Sequence, residues 1–437
     1  MGHFLGIIRP RVTAASAGCV TPVAPWLPAS GLVLPATAYN GGSPPLLRND
    51  GLTMGTATTP GEITITPIYW NPSTTTSFTD ETGLVTNFDS NLSAASGRLG
   101  NVFALLTQYS RGATAPGVHL TDLVHVTAPI IDSGPFPTSD CTPDIGKIYN
   151  DSTRYTHCFS DTVIQTEVAR VISTQSLPID RAHLYPIFLP KGVESCFDHN
   201  DGALLGTCTA NYKGTSGYCA YHSSIAGSPT LYAVMPYPVW DSPTGLVCNG
   251  SDQFPNANPA GDVIVSSYSH EVAEAISDPF GVNPPGVGWR DSSNMEIGDL
   301  CAYSYGAVFG SNGAEYNQTM NGAHYFIQSE FSNAAWRFVG AAVGCQTLWH
   351  APHPGFTAVG LRTVGTAIQL TSTSTSSSGK IASFSWSVDP TKAKLSSTTS
   401  KAPTVTFTSP GTDTVTLTVT DSGFYTAKLT RSFTISG

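Results

Sequence analysis

Charged side chains are scarce in this sequence of 437 residues, since Asp, Glu, Lys and Arg together make up 11% of it. Acidic residues outnumber basic ones by 30 to 20, which gives a formal net charge of −10 at pH 7. Nucleic acids bind basic surfaces, so this balance argues against a nucleic-acid partner. Apolar runs are short as well, and none reaches the roughly 18 residues that a membrane-spanning helix needs. The sequence therefore predicts no membrane span.

Two common signatures of function are also absent. No Cys-x-x-Cys pair occurs among the nine cysteines, which argues against a structural zinc ribbon. No Gly-x-Ser-x-Gly motif occurs, which argues against a serine hydrolase of the nucleophile-elbow type. The cysteines are numerous for a cytosolic protein, and they predict disulfide bonds formed in an oxidising compartment. Their odd number leaves one thiol over, and Cys19, isolated near the N-terminus, is predicted to be that thiol.

Small and hydroxyl-bearing residues are abundant where charges are missing. The chain contains 42 Gly and 32 Pro, together with many Ser and Thr residues. A surface solvated by hydroxyls rather than by charges indicates an extracellular protein. Residues 1–60 are rich in Pro, Ala, Gly and Thr without hydrophobic periodicity, so they are predicted to form an extended tail or leader-like segment.

Strand-like and helix-like segments alternate between residues 61 and 347. The clearest helix is predicted at 161–175, where the apolar residues form one stripe and Ser160 or Asp161 can cap the first turn. Residues 191–226 are rich in Cys and Gly, and no regular element is predicted there. Strands are predicted at 62–70, 119–126, 182–190 and 230–238. The alternation predicts an α/β or α+β domain over residues 61–347.

A potential metal-binding helix is the most informative feature of the chain. Residues 269–279 read SHEVAEAISDP, and the helix is predicted to begin near residue 261 or 262 and to end before Pro279. His270 and Glu274 are four residues apart, so their side chains lie on the same face of a helix. Glu271, next to them, has the position of a general base for a metal-bound water.

A catalytic zinc site needs further ligands, because three protein side chains and one open position for water are required. The third ligand is expected from EIGDLC, residues 296–301, where Glu296 and Asp299 are the nearest candidates. The zinc protease motif has histidine at both helix positions, whereas this chain has Glu274 at the second. One histidine with two carboxylates gives an anionic site, so zinc is the predicted cofactor and Ca or Mn is the alternative.

Two interpretations of these acidic residues stay open from the sequence. A short motif of this kind occurs by chance in helices whose carboxylates face solvent. Here, however, acidic residues are concentrated around one histidine while charges are rare elsewhere, and such a group would repel itself without a cation. His222, in the segment YCAYHSS, is interpreted as a hydrogen-bonded core residue rather than a ligand. The predicted metal ligands are His270, Glu274, Glu296 and Asp299, with Glu271 as the catalytic base.

Several sequence blocks occur in an order that resembles one protein family. They read EITITPIYW, YPIFLPKGV, GYCAYHSS, LYAVMPYP, SHEVAEAISDP and GWRDSSNMEIGDLC, and they fall within roughly residues 60–345. Together they resemble the EXORDIUM-like, phosphate-induced protein family, and most closely its microbial members, which carry the His-Glu-x-x-Glu helix. The resemblance implies an extracellular protein, associated in plants with the cell wall and growth. The helix and the EIGD segment also resemble a zincin metalloprotease core, which implies His270, Glu274 and Glu296 as ligands and Glu271 as base.

The sequence changes character after Cys345. Residues 355–437 contain no cysteine and consist of Ser- and Thr-rich alternating runs that turn residues interrupt, which predicts an all-β, immunoglobulin-like sandwich. The runs FSWSVD and TFTSPGTDTVTLTVTDSG resemble a PKD domain. The resemblance implies a spacer or binding module of the kind that accompanies secreted hydrolases and surface proteins, without catalytic residues of its own.

Two hypotheses about function follow from these patterns. The first is a secreted, zinc-dependent, peptidase-like hydrolase with a zincin-like core and an appended β-sandwich, acting on a peptide. The alternative is a non-enzymatic extracellular protein of a cell wall, matrix or surface assembly, which binds glycan or protein. In the alternative, the acidic residues hold a structural cation or make hydrogen bonds only.

Overall fold

The computed structural model divides the chain into two compact units. Unit 1 comprises Met1–Asn333 and Ala341–Leu348, and unit 2 comprises Ala334–Gly340 and Trp349–Gly437. Most of the predicted tail at 1–60, including Cys19, lies outside the described residues. The structure describes residues 7–8, 47–49, 52–55, 61–72, 79–97, 101–109, 120–143, 154–197, 208–209, 218–238, 240–241, 245–246, 248, 253–280, 288–306, 308–333, 344–347, 352, 354–375, 381–421 and 426–437.

The helices whose bounds the structure describes belong to unit 1. They are α1 (Thr79–Ala95), α2 (Asp161–Gln175), α3 (Pro259–Ser277) and two 3₁₀ helices, Val102–Gln108 and Asp299–Cys301. Helix α2 occupies the predicted range. The residue that follows it, Ser176, has a left-handed backbone conformation, and its N–H donates a hydrogen bond to the carbonyl of Ile172. None of the described helices combines the length and the hydropathy that crossing a bilayer requires.

The described strands of unit 1 are β1 (Ile7–Ile8), β2 (Arg48–Asn49), β3 (Ile63–Ile65), β4 (Ile68–Trp70), β5 (Val124–Val126), β6 (Ile130–Asp132), β7 (His157–Ser160), β8 (His183–Phe188), β9 (Val193–Cys196), β10 (Ala220–Ser224), β11 (Leu231–Met235), β12 (Trp240–Asp241), β13 (Gly245–Leu246), β14 (Trp289–Arg290), β15 (Gln318–Met320), β16 (Ala323–Tyr325), β17 (Glu330–Phe331) and β18 (Cys345–Gln346).

A mixed β-sheet forms the centre of unit 1. Its strand order is β1-β10-β11-β8-β3-β5, and β4 pairs with β8 and β6. The pairings among β3, β4, β5, β6, β8 and β11 are parallel, whereas β10 is antiparallel to β1 and β11. This confirms a mixed α/β architecture; the zincin-like core stays a prediction.

Two segments differ from their sequence-based predictions, and the first of them contributes a residue to the site described below. The segment 191–226, predicted to lack regular elements, contains β9 and β10, and β10 joins the main sheet between β1 and β11. The segment 62–70, predicted as one strand, is two strands, β3 and β4, separated at Pro67. Proline has no backbone N–H to donate to a ladder, which explains the interruption.

Disulfide bonds are confirmed for the cysteines that the structure describes. They join Cys141–Cys158, Cys196–Cys208, Cys219–Cys248 and Cys301–Cys345. The last bridge closes the longest loop, with a sequence separation of 44, and ties the EIGDLC segment to the end of unit 1. Closing a loop of this size removes conformational freedom from the unfolded chain and stabilises the fold.

Helix α3 is buried along its whole length, from Ala260 to Ser277. It packs against α1, β10 and β11. Its sequence suits this position, because it contains no Lys or Arg and alternates Val, Ile and Ala with Ser. The helix begins after Asn258, whose side-chain oxygen accepts a hydrogen bond from Gly261 N at 3.0 Å. It ends at Ser277, and Asp278 caps it before Pro279.

The N-terminal cap of α3 gives a first prediction. Replacing Asn258 by Ala should destabilise the protein by about 1 kcal/mol, because an N–H at the helix start loses its acceptor. Chemical denaturation of the purified protein measures this. Asn258→Asp keeps a side-chain acceptor and should retain the stability of the wild type. Equal losses in the two variants would contradict a capping role.

The described part of unit 2 is an all-β sandwich, as predicted for residues 355–437. Its strands are β19 (Phe356–Val359), β20 (Ala367–Ser372), β21 (Ile381–Val388), β22 (Ala393–Leu395), β23 (Thr404–Phe407), β24 (Gly411–Asp421) and β25 (Thr426–Ile435). Four strands pair in the order β19-β20-β23-β22 and three in the order β21-β24-β25. Inward side chains of both sheets share one core, which includes Trp386, Leu370 and Leu417.

Candidate metal centre

Acidic and imidazole side chains from four segments of unit 1 meet inside the domain, and we call this group the acidic centre. Burial of the group is nearly complete, and the most accessible member, Asp299, has a side chain that is 8% exposed. The members are His222 on β10, His270, Glu271 and Glu274 on α3, Glu296 and Asp299 in the EIGD segment, and Glu330 on β17.

Helix α3 places two predicted ligands together. His270 Nε2 lies 3.0 Å from Glu274 Oε1, as expected for residues one helical turn apart. The other ring nitrogen of His270, Nδ1, lies 2.6 Å from the side-chain nitrogen of Gln328. Asp299 is more distant, with an oxygen 4.0 Å from His270 Nε2. The geometry thus brings His270 and Glu274 into contact and leaves Asp299 at the edge of the centre.

The EIGD segment folds back onto α3 through its backbone. Glu274 Oε1 accepts hydrogen bonds from Gly298 N at 3.1 Å and from Asp299 N at 2.9 Å. A side chain at residue 298 would collide with the His270 ring, so only glycine permits this approach. Glu296, two residues earlier, is fully buried beside the same carboxylate. The segment therefore delivers Glu296 to the centre and orients one oxygen of Glu274.

His222 is one of two members of the acidic centre that were not predicted as site residues, and the other is Glu330. Its Nδ1 lies 3.0 Å from Glu271 Oε2 and 3.8 Å from Glu274 Oε2, and its Nε2 lies 2.7 Å from the carbonyl oxygen of Asp278. Glu296 Oε1 is 3.6 Å from the same Nε2. The interpretation of His222 as a core residue was correct about burial and overlooked its carboxylate neighbours. A prediction that YCAYHSS is a strand of the sheet beside α3 would have indicated that His222 lies near the carboxylates of that helix.

The basic side chain of Arg290 lies near the acidic centre, but it already has an acidic partner. Arg290, on β14, forms a buried ion pair with Asp278, which follows the C-terminus of α3. Glu330 adds a further buried carboxyl, and among the described residues no hydrogen-bond partner is found for either of its oxygens. The acidic centre therefore has an excess of carboxyl groups over basic groups.

Burial and mutual repulsion shift the pKa values in this centre. Burial raises the pKa of Glu274 to about 8, against the opposing effect of the N–H groups of Asp299 and Gly298. Burial, followed by repulsion from Glu274, raises the pKa of Glu271 and of Glu296 well above the ordinary value. Burial also lowers the pKa of both His222 and His270 to about 4. Carboxyl groups in such surroundings need a proton or a cation, and a cation would lower their pKa values again.

The donor set fits a divalent metal ion. Among the described residues, no hydrogen-bond partner is found for Glu271 Oε1, Glu274 Oε2 or either oxygen of Glu296. His222, Glu274 and Glu296 each offer an atom within 4.8 Å of the other two, and so do His270, Glu271 and Glu274. Ligands around one zinc ion, with bonds of about 2 Å, lie roughly 3–4 Å apart, so small side-chain rotations would close either set.

Comparisons with known proteins found similar solved structures that cover only a small part of the chain. No protein-family model and no curated protein matches the chain. The similar solved structures include the PKD1 domain of Vibrio anguillarum Epp, with 24% identity, coverage of 20% of this chain and 94% of that chain, and a TM-score of 0.17. They also include the PKD1 domain from the Vibrio cholerae metalloprotease PrtV, with 27% identity, coverage of 20% and 99%, and a TM-score of 0.17. Because these TM-scores are low, the description of unit 2 rests on its own strand pairing and core. The EXORDIUM-like resemblance of unit 1 stays a prediction.

Proposed function

We propose that this protein is a secreted, metal-dependent hydrolase of the peptidase-like type, with its metal ion bound in the acidic centre. The observation that carries the proposal is the set of buried carboxylate oxygens without hydrogen-bond partners around the His-Glu-x-x-Glu helix. Isolated carboxylates are costly to bury, and a divalent cation offsets that cost. The four disulfide bonds support an oxidising, extracellular location.

In this proposal, Glu274 and Glu296 supply carboxylate ligands and an imidazole supplies a nitrogen ligand. The bound metal would lower the pKa of a water molecule toward neutrality. Glu271 has the role of general base, because its Oε1 has no hydrogen-bond partner among the described residues and can accept a proton. Gly298 and Asp299 hold Glu274 through their backbone N–H groups, so the second oxygen of Glu274 is left for the metal.

Zinc is the proposed metal, with Ca or Mn as alternatives. Nitrogen and carboxylate ligands together suit zinc, while a larger share of carboxylates favours harder cations. The EXORDIUM-like and zincin-like resemblances of unit 1 agree with this proposal. The PKD-like resemblance of unit 2 adds a proposed spacer or binding module.

Metal analysis of the full-length protein tests the proposal. We expect about one equivalent of divalent metal per chain and hydrolysis of a peptide mixture that stops on chelation. Glu274→Gln should weaken metal affinity at least about 100-fold, since even outer-shell partners of a metal site contribute 10–100-fold. Glu62→Gln, at an exposed glutamate of the same unit, is the matched control and should change neither property. A wild-type protein without metal and without hydrolysis would remove the proposal.

One observation favours a second function, the non-enzymatic alternative. The proposed ligands are fully buried, apart from the small exposure of Asp299, whereas a catalytic metal must be reached by substrate. In this alternative, protein side chains fill every coordination position and the metal only stabilises the fold. The full-length protein would then hold metal and bind a glycan array or a matrix protein, while a peptide mixture stays intact.

A further inference from the structure

We infer that His222, through Nδ1, is the imidazole ligand of the acidic centre, and that the neutral His270 ring carries its proton on Nε2 because Gln328 donates a hydrogen bond to Nδ1. The inference rests on the proposed metal site and deepens it, because the sequence motif assigns the imidazole ligand to His270. The directions of the hydrogen bonds around the two imidazole rings determine which ring nitrogen carries the proton. A neutral imidazole has one N–H and one lone pair, and only the nitrogen with the lone pair can bind a metal.

The orientation of the Gln328 amide is fixed by its backbone neighbours. Its Oε1 accepts a hydrogen bond from Tyr303 N at 3.1 Å, and its Nε2 donates to the carbonyl of Gly298 at 2.9 Å. Exchanging the two ends of the amide would place a donor against Tyr303 N and an acceptor against a carbonyl oxygen. Both contacts would then be repulsive, so the network itself assigns the nitrogen end of Gln328 to His270.

This orientation determines the tautomer of His270. Gln328 Nε2 lies 2.6 Å from His270 Nδ1, and an amide nitrogen can only donate. His270 Nδ1 must therefore accept, and the proton of the neutral ring is on Nε2. That Nε2 lies 3.0 Å from Glu274 Oε1, but the contact does not have hydrogen-bond geometry, and Nε2 has no hydrogen-bond partner among the described residues. In this tautomer Nε2 has no lone pair for a metal, and Nδ1 is occupied by Gln328.

His222 has the opposite arrangement. Its Nε2 lies 2.7 Å from the carbonyl oxygen of Asp278, and a carbonyl can only accept, so Nε2 carries the proton. The lone pair is then on Nδ1, which points to Glu271 Oε2 at 3.0 Å and lies 3.8 Å from Glu274 Oε2. The 3.8 Å separation between His222 Nδ1 and Glu274 Oε2 matches that between two ligands of one metal ion.

The hydrogen bond from His222 to the Asp278 carbonyl is typical of a histidine that binds a metal. A ligating histidine usually donates its second ring N–H to a carbonyl or carboxylate, which fixes the tautomer and the ring plane. His222 has such a partner on the side away from Glu271. His270 instead accepts a hydrogen bond from Gln328 at Nδ1 and carries its proton on Nε2, so neither nitrogen has a lone pair for a metal. Gln328 is thus a positioning residue, because it acts on the centre through His270.

The first test is NMR of the metal-free wild-type protein with 15N-labelled histidine, in which the ring signals report the tautomer. We expect Nε2–H tautomers for both His222 and His270, assigned by comparison with single variants. On addition of Zn²⁺, the Nδ1 signal of His222 should shift and the Nδ1 signal of His270 should keep its hydrogen-bonded position. A His270 ring protonated on Nδ1 in the wild type would overturn the inference, whatever the variants do.

The second test compares His222→Gln with His270→Gln by competition of the full-length protein with a chromophoric zinc chelator. Glutamine places its amide near the Nε2 position of histidine, so each variant keeps a donor there and loses the Nδ1 lone pair. We expect His222→Gln to weaken Zn²⁺ binding at least 100-fold and His270→Gln to weaken it less than 10-fold. The reverse order overturns the inference and leaves the metal site standing. Absence of Zn²⁺ binding by the wild type defeats the metal site itself, a different result.

Gln328→Glu provides a variant that reverses the hydrogen-bond direction at His270, while it also removes the hydrogen bond to the Gly298 carbonyl. A carboxylate at this position accepts from the His270 ring and should move its proton to Nδ1, which the same NMR experiment detects. The Nε2 lone pair of His270 would then become available, so Co²⁺ bound to this variant should show an altered visible spectrum. An unchanged His270 tautomer in Gln328→Glu contradicts the positioning role of Gln328.

Discussion

The Glu271→Gln variant is expected to hydrolyse peptides on the order of 10³-fold more slowly than the wild type while its metal content stays the same. General-base catalysis contributes an effect of this size. The carboxamide has the shape of the carboxylate but cannot take up a proton. Because its size is nearly the same, the packing around α3 should persist.

Two measurements on the same protein preparation are needed, kcat on a peptide found in the digestion experiment and elemental analysis. The role of Glu271 as base predicts a loss in kcat with little change in KM or in metal content. Loss of metal from Glu271→Gln would instead make Glu271 a ligand, which its 3.0 Å separation from His222 Nδ1 would permit. Unchanged kcat together with full metal content would contradict the general-base role. Glu62→Gln again provides the control for handling and folding.

A second large effect is expected at Asp89, a buried residue of α1 outside the acidic centre. Burial raises the pKa of Asp89 to about 7, and the nearby hydroxyl of Tyr268 opposes this only in part. Asp89 in turn contributes to the raised pKa values of Tyr69 and Tyr268. These aromatic residues belong to the apolar interior between α1, β4 and α3, so an ionised carboxylate there is poorly solvated.

Asp89→Asn should therefore raise the stability of the protein at alkaline pH. The folded protein holds the Asp89 proton up to about pH 7, whereas the unfolded chain releases it near the ordinary value of 3.8. The contribution of this group is complete below about pH 4 and is lost as the pH rises through 7. The loss amounts to roughly 4 kcal/mol, at about 1.4 kcal/mol per pH unit. Asparagine resembles the protonated acid and does not undergo this loss.

Chemical denaturation of the wild type and of Asp89→Asn between pH 4 and pH 8.5 measures the effect. The difference in unfolding free energy should increase with pH and level off above pH 7. The acidic centre titrates in both proteins, so its contribution to the pH dependence cancels in this difference. A constant difference across this range would contradict a raised pKa and would indicate a packing or hydrogen-bonding effect of the substitution.

The sequence predicted the α3 part of the centre because the relevant information is local. A separation of four residues in a helix determines that His270 and Glu274 are neighbours, whatever the rest of the fold does. The start of the helix at Pro259 lies two residues before the earliest predicted start, since Asn258 caps it there. Glu296 was predicted from the need for the chain to return toward Cys301, and it is buried beside Glu274.

The contribution of β10 was not predictable in the same way. His222 lies 49 residues from Glu271 along the chain, and their contact depends on the pairing of β10 with β11. The short strand is surrounded by Cys and Gly residues, so no long alternating pattern indicated it. Gln328 was missed for another reason, because an amide has no ligand-like signature and acts here only through the direction of its hydrogen bonds.

Unit 2 was easier to predict because the periodicity of its strands is sustained. Residues 411–421 and 426–435 alternate over long stretches, and they form the paired strands β24 and β25. Disulfide connectivity, by contrast, depends on distances between residues far apart in the chain, so the spacing of the cysteines in unit 1 could not specify it.

The burial of α3 on all sides has a consequence for how this protein can vary. A half-exposed helix has a solvent-facing stripe where substitutions cost little stability, and these positions recur every three to four residues. Helix α3 has no such stripe from Ala260 to Ser277. Each of its positions, whether or not it carries a polar group, is constrained by neighbours on every side. Natural variation in the catalytic or structural properties of the centre must therefore come from the surrounding strands and loops.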